Sequence, residues 1–229
     1  MFRVEPVIPI FSHNFGSFTF DLTAGIVFEW IVILILGIGA FLLTRNLKLR
    51  PSKTQAALEK LYKTIRDFIV STMGEENKSF VPYIGTLMIY LLLLNLAGLL
   101  GLRPPTADLS ITVSFAITTF LVVNGYAIRK NGLIGFGEGL LHPFWPMLPL
   151  NILERFILPV SLSLRLFGNM IAAVILVDLV YNGLGSISIF AQLGIPIIVH
   201  GYFDLFDGLI QMVVFSMLTM INIKVTSEE

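Results

Sequence analysis

The sequence predicts an all-α integral membrane protein of about five transmembrane helices, and three observations carry that prediction. Hydrophobic residues make up 55% of the 229 and charged residues 13%, with a mean hydropathy of +0.86, whereas a soluble domain carries roughly 25% charge. Apolar runs long enough to cross a bilayer recur along the chain, and most cations fall in the stretches that would share one side of it. The chain has no cysteine, which excludes a disulfide framework and cysteine-based metal chemistry. Its formal net charge is zero, so the distribution of charge is more informative than the sum.

Residues 1–23 read as an outer amino-terminal segment, polar, aromatic and proline-containing, without the basic head and short apolar core of a cleaved signal. Residues 24–44 are mostly apolar, and at about 1.5 Å per residue they cover a hydrocarbon core of roughly 30 Å. Arg45, Lys48, Arg50 and Lys53 follow at once, which places this end in the cytoplasm and the amino terminus outside. Residues 52–73 read as an amphipathic helix on the inner surface, with Ser52 as N-cap. Ala57, Leu58, Leu61, Ile65, Phe68 and Ile69 recur on one face, and Lys60, Lys63, Arg66 and Asp67 lie on others.

Residues 80–128 hold the second and third spans. Phe80–Leu102 runs outward with Asn95 as its one strongly polar side chain; Arg103-Pro104-Pro105-Thr106-Ala107-Asp108 breaks the helix, and Ser110–Ile128 returns. A glycine- and proline-rich connector, 131–149, contains His142. Residues 150–224 form a long tilted α-hairpin, Leu150–Tyr181 and Ser186–Lys224, around the turn Asn182-Gly183-Leu184-Gly185. Each arm exceeds the roughly 20 residues of a perpendicular span, which implies tilt or bending, with Pro159 and Pro196 as the bends.

Sorting the fifteen cations on this topology puts Arg45, Lys48, Arg50, Lys53, Lys60, Lys63, Arg66, Lys78, Arg129, Lys130, Arg155 and Lys224 inside, and Arg3 and Arg103 outside. Arg165 is left alone within the membrane. A charge there costs about 2.5–3.5 kcal/mol on insertion scales, so it faces water or a partner and marks function.

On an α-helix, His200, Asp204, Asp207 and Gln211 fall at offsets 0, 4, 7 and 11, one polar stripe on an otherwise apolar helix. On the partner arm Arg165 and Asn169 are one turn apart, with Glu154 and Ser161 near the same face. Asp178 lies about 20 Å outward along the axis. If the arms are antiparallel, Gln211 comes near Arg165 while Asp204 and Asp207 open to the outside, giving a polar path that ends at an arginine. Carboxylates and imidazole pass protons in steps, whereas a guanidinium keeps its proton and favours the ionised form of an approaching carboxylate. Plainer readings stand beside this one. Arg165 pairs with an aspartate to hold the hairpin; His200 packs; Asp207 is merely solvated; Asn95 joins helices. One imidazole with two carboxylates is a weak metal signal.

Residues 159–170, Pro-Val-Ser-Leu-Ser-Leu-Arg-Leu-Phe-Gly-Asn-Met, are close to a signature of one family, and the chain resembles subunit a of the F-type ATP synthase over nearly its whole length. Asn95-Leu96-Ala97-Gly98-Leu99, Pro105-Thr106-Ala107-Asp108, Leu148-Pro149-Leu150-Asn151, and Gln211 with Phe215 and Leu218-Thr219 support the resemblance. It implies a stator subunit in which Arg165 faces the essential carboxylate of each passing c subunit, between two offset half-channels. Asn169, Asp204, Gln211 and Asp108 then line or border the outer half-channel. It implies a hairpin packed against the rotor, and as partners the c-subunit ring, the peripheral stalk subunit b, the rest of the F-type ATP synthase and the lipid bilayer, with no nucleic acid and no cofactor. The expected location is the bacterial cell (inner) membrane, with the carboxyl terminus cytoplasmic.

Two departures qualify the match. Many members carry a glutamate where this chain has Val174, which makes Asp178, one turn farther out, a substitute; and Asp204 replaces a His or Glu, with Asp207 an additional acid. A Na⁺-translocating version therefore stands beside the H⁺ version. The chain has no GxxxxGK[ST] loop, so it is not expected to catalyse ATP chemistry itself. A self-contained channel or secondary transporter is the remaining alternative, although the inverted repeats usual in transporters are not found in the sequence.

Overall fold

The computed structural model describes residues 11–15, 18–102, 104–141, 145–185 and 198–228. Its first span, α1 (Ala24–Thr44), has the bounds read from the sequence. Val32 is its one buried residue, while Trp30, Ile33, Leu34, Ile35 and Phe41 are all more than half exposed. A helix bare of polar side chains on every such face belongs in hydrocarbon. Ahead of it, β1 (Phe11–Phe15) and β2 (Phe18–Leu22) make an antiparallel ribbon that pairs Phe11 with Leu22 and Phe15 with Phe18. This small ribbon is added to an otherwise helical fold.

The amphipathic helix α2 (Lys53–Met73) also starts and stops as read. The Ser52 hydroxyl accepts from the Gln55 amide at 3.3 Å, and Gly74, at φ 84°, ends the helix with its amide donating to the Val70 carbonyl at 2.8 Å. Its last turns pack inward through Ile69 and Met73, whereas Leu61 and Tyr62 at its middle stay exposed. A 3₁₀ segment, Glu75–Phe80, leads into α3 (Val81–Asn95). Buried Asn77 fixes this corner: its Nδ2 donates to the Met73 carbonyl at 3.1 Å and its Oδ1 accepts from the Tyr126 hydroxyl at 3.0 Å.

The second span is α-helical for less of its length than the sequence reading gives. After Asn95 the chain tightens into a 3₁₀ turn, Leu96–Leu100, closed by Gly101 at φ 71°. A second 3₁₀ turn, Pro105–Ala107, is wholly buried, packed against α1, α3 and the helices that follow. The third span is longer than predicted. α4 (Leu109–Leu141) carries helix through most of the proposed connector, broken once at Gly132, where φ 74° and ψ 172° redirect the chain before helix resumes. His142 lies outside the described residues.

The first arm of the hairpin, α5 (Leu148–Gly185), contains 38 residues, about 57 Å at 1.5 Å per residue. Pro159 sits inside it without ending it. Residues 182–185 are helical, so the turn proposed there is corrected. Each glycine costs only about 1 kcal/mol in a helix, while in or near lipid a helix keeps its backbone hydrogen bonds satisfied. Pro196 and the start of the second arm fall outside the described residues. From 201 that arm is a π-helical turn, Gly201–Asp207, followed by α6 (Gly208–Glu228).

Among the described residues five helical stretches are long and apolar enough to cross a membrane: Ala24–Thr44, Glu75–Leu100, Leu109–Gly139, Trp145–Leu184 and Ile198–Thr226. The core forms where α3 and α6 lie side by side, with Ile69 and Met73 of α2 and Leu162 and Leu166 of α5 joining Ile84, Leu91, Phe215, Met220 and Ile223. Among these the helices approach closely; a Cβ on Gly85 would meet Ile65 at 3.3 Å. Replacing Asn77 with Ala should remove both hydrogen bonds of the α2–α3 corner and lower stability by about 1–3 kcal/mol. Thermal unfolding of the detergent-solubilised protein checks this, and an unchanged midpoint refutes it.

Candidate ion pathway

Arg165 stands on the exposed face of α5. Around it Leu153, Ile157, Val160 and Leu164 are each more than half exposed, and Ser161 and Glu154 share the exposure. The proposed aspartate pairing does not occur: among the described residues Arg165 has no ion pair and no hydrogen bond. One turn along, the exposed Asn169 donates from Nδ2 to Oε1 of Gln211 at 2.8 Å. Gln211 is 2% exposed, and its Nε2 is buried with no hydrogen-bond partner. The stripe on the second arm thus meets the Arg165 face at Asn169.

The predicted stripe does not run straight. The π turn is wider than an α turn, and it separates the two acids. Asp204 is turned inward and 5% exposed, where its Oδ2 shares a 2.6 Å hydrogen bond with Nδ1 of His200. The His200 ring lies 6.0 Å from that of Tyr181 across the hairpin. Asp207 is half-buried and, among the described residues, has no hydrogen-bond partner.

Asn95 supports this turn from behind. Fully buried, it donates from Nδ2 to the Gly208 carbonyl at 3.2 Å and accepts at Oδ1 from the Thr106 hydroxyl at 3.1 Å. The helix-joining reading of Asn95 matches these bonds, and the buried Pro105–Ala107 turn is tied to the same point.

Two other predicted residues stand apart from this group. The half-buried Asp108 starts α4, with Oδ1 accepting from the Ser110 amide at 2.9 Å. Asp178 is exposed on α5 and has no hydrogen bond or ion pair among the described residues. Sequence reasoning passes over Glu29, whose Oε1 is buried without a partner and which lies within electrostatic reach of Asp108 and Tyr90. An acid five residues inside an apolar run is the same signal that singles out Arg165. No group of three metal-ligating side chains occurs among the described residues.

The fold and site together define a multi-pass membrane protein in which buried Gln211 meets the face of α5 that carries Arg165, an exposed arginine without a partner among the described residues. The ATP synthase A chain family model matches residues 26–224. The sodium-ion-specific ATP synthase subunit a of Propionigenium modestum is 34% identical over 225 residues, covering 91% of this chain and 75% of that protein. ATP synthase subunit a of Moorella thermoacetica is 37% identical over 196 residues, 85% of this chain and 86% of that one, and that of Bacillus subtilis is 32% identical over 227 residues, 91% and 93%. The chain belongs to the ATP synthase subunit a family, the stator subunit of the F-type rotary enzyme.

If Asp204 carries ions along the buried line, Asp204→Asn should slow ion flux more than Asp207→Asn does. Pumping by the intact complex in vesicles tests this, and equal, negligible effects reject it. Asp178→Asn should also reduce flux if Asp178 replaces the glutamate absent at Val174, and undiminished pumping would leave it a structural residue.

Proposed function

We propose that Arg165 is the stator arginine that meets the essential carboxylate of each c subunit as the rotor turns, coupling proton flow to rotation. The observation that carries this is an arginine exposed on an apolar helix face and unpaired among the described residues. A charge in that setting requires a partner, and a carboxylate on another chain supplies one. A guanidinium stays charged and strengthens the ionised form of the carboxylate it faces, so it releases the ion while blocking a leak past itself. Its exposed apolar surroundings suit a tilted hairpin laid against a ring of helices.

Asn169, Gln211, Asp204, His200 and Asp207 form the approach from the outer side, with Asp108 and Asp178 at its border. The charge asymmetry supports an amino terminus outside and a carboxyl terminus in the cytoplasm of a bacterial cell. The subunit performs no ATP chemistry itself, and it works with the c-subunit ring and the peripheral stalk subunit b. A second reading, in which Na⁺ is the coupling ion, is favoured by the sodium-specific Propionigenium relative; ATP-driven pumping with and without Na⁺ and an uncoupler separates the two.

Arg165→Ala should abolish ion-driven ATP synthesis while the complex still assembles, because an exposed side chain contributes little to packing. Synthesis in energised vesicles, alongside subunit content, measures this. Coupling at the wild-type level in that variant overturns the proposal.

A further inference from the structure

We infer that Gly98 is a positioning residue of the outer ion path, keeping open the one carboxylate-sized space that Asp204 fills. This rests on the reading of Asp204 as a path residue. Gly98 is buried in the 3₁₀ turn that ends the second span. A Cβ built on it would lie 2.6 Å from Oδ2 of Asp204 and closer still to its Cγ and Oδ1, so an alanine there collides with the carboxylate itself. Backbone freedom does not explain this glycine, because its φ is not positive. Gly125 and Gly168, by contrast, have nothing within 4 Å of such a Cβ.

Neither side of the contact can retreat. Asp204 is tied through Oδ2 to His200 at 2.6 Å, so swinging its short side chain away would break that bond. The two backbones are pinned a few residues along, where Asn95 donates to the Gly208 carbonyl at 3.2 Å and a Cβ on Gly208 would sit 3.0 Å from Cβ of Asn95. Positions 98 and 204 therefore share one space, and a carboxylate can be delivered to it from either backbone. The pairing of no side chain at 98 with an acid at 204 sets where on the path that carboxylate stands.

The test compares ATP-driven pumping, over a range of pH, by the intact complex carrying Asp204→Ala, Gly98→Ala, or the swap Gly98→Asp with Asp204→Ala. Gly98→Ala should lower pumping about tenfold or more, as displacing a positioned group by about 1 Å does elsewhere, and should alter the pH profile. The swap should recover much of what Asp204→Ala loses. If Gly98→Ala blocks assembly, adding Asp204→Ala should restore it, since the colliding atoms are gone; failure to restore it overturns the inference. Impaired Asp204→Ala together with wild-type pumping and pH profile in Gly98→Ala, or with a swap that recovers nothing, overturns the inference alone. Wild-type pumping in Asp204→Ala overturns the path reading, and this inference with it.

Discussion

The hydrogen bonds of one buried amide, Asn95, hold the arrangement on which the rest depends. Its donor goes to the Gly208 carbonyl at 3.2 Å and its acceptor takes the Thr106 hydroxyl at 3.1 Å. Helices in lipid gain no hydrophobic driving force from meeting each other, so close packing and interhelical hydrogen bonds decide how they are rotated. Fixing Gly208 fixes the rotation of α6. That rotation turns Gln211 toward Asn169 and Asp204 toward Gly98, while Arg165, one turn from Asn169 on the same face of α5, has no partner among the described residues. A glycine at 208 and another at 98 let the backbones come close enough for this.

The polar groups divide by their degree of satisfaction. Asn95 and Thr106 spend their hydrogen bonds on one another and on backbone, which is the pattern of structural polar residues. Arg165 has no partner among the described residues, and the Gln211 Nε2 and Glu29 Oε1 are buried without one. Unmade bonds to buried groups carry a desolvation cost of about 1–3 kcal/mol each, and such costs collect where a protein exchanges ligands or partners.

Much of the fold is legible in the sequence because lipid imposes simple rules. Apolar length and flanking charge set α1 to its residue, and Ser52, the apolar spacing and Gly74 set α2. The misreadings occur where glycine and proline have two meanings. In 131–149 and 182–185 their abundance predicts loop, but helix continues through most of the described part of the first stretch and all of the second, since a glycine lowers helix propensity by only about 1 kcal/mol. Within the described part of these stretches, Gly132, with positive φ, is where the helix breaks. The π turn escaped the sequence because a one-residue widening leaves no trace in an apolar periodicity.

The sequence by itself determined that this is an all-α membrane protein of about five spans, and it singled out Arg165 as the one cation that its charge sorting leaves within an apolar run. These follow from composition and from the cost of charge in hydrocarbon, both of which are local to the chain. The tertiary structure alone decided that Arg165 is unpaired among the described residues, that Asp204 is buried while Asp207 is half-buried, and that Gly98 lies against the Asp204 carboxylate. Those outcomes depend on the rotation and separation of helices far apart in sequence, which short-range periodicity does not encode.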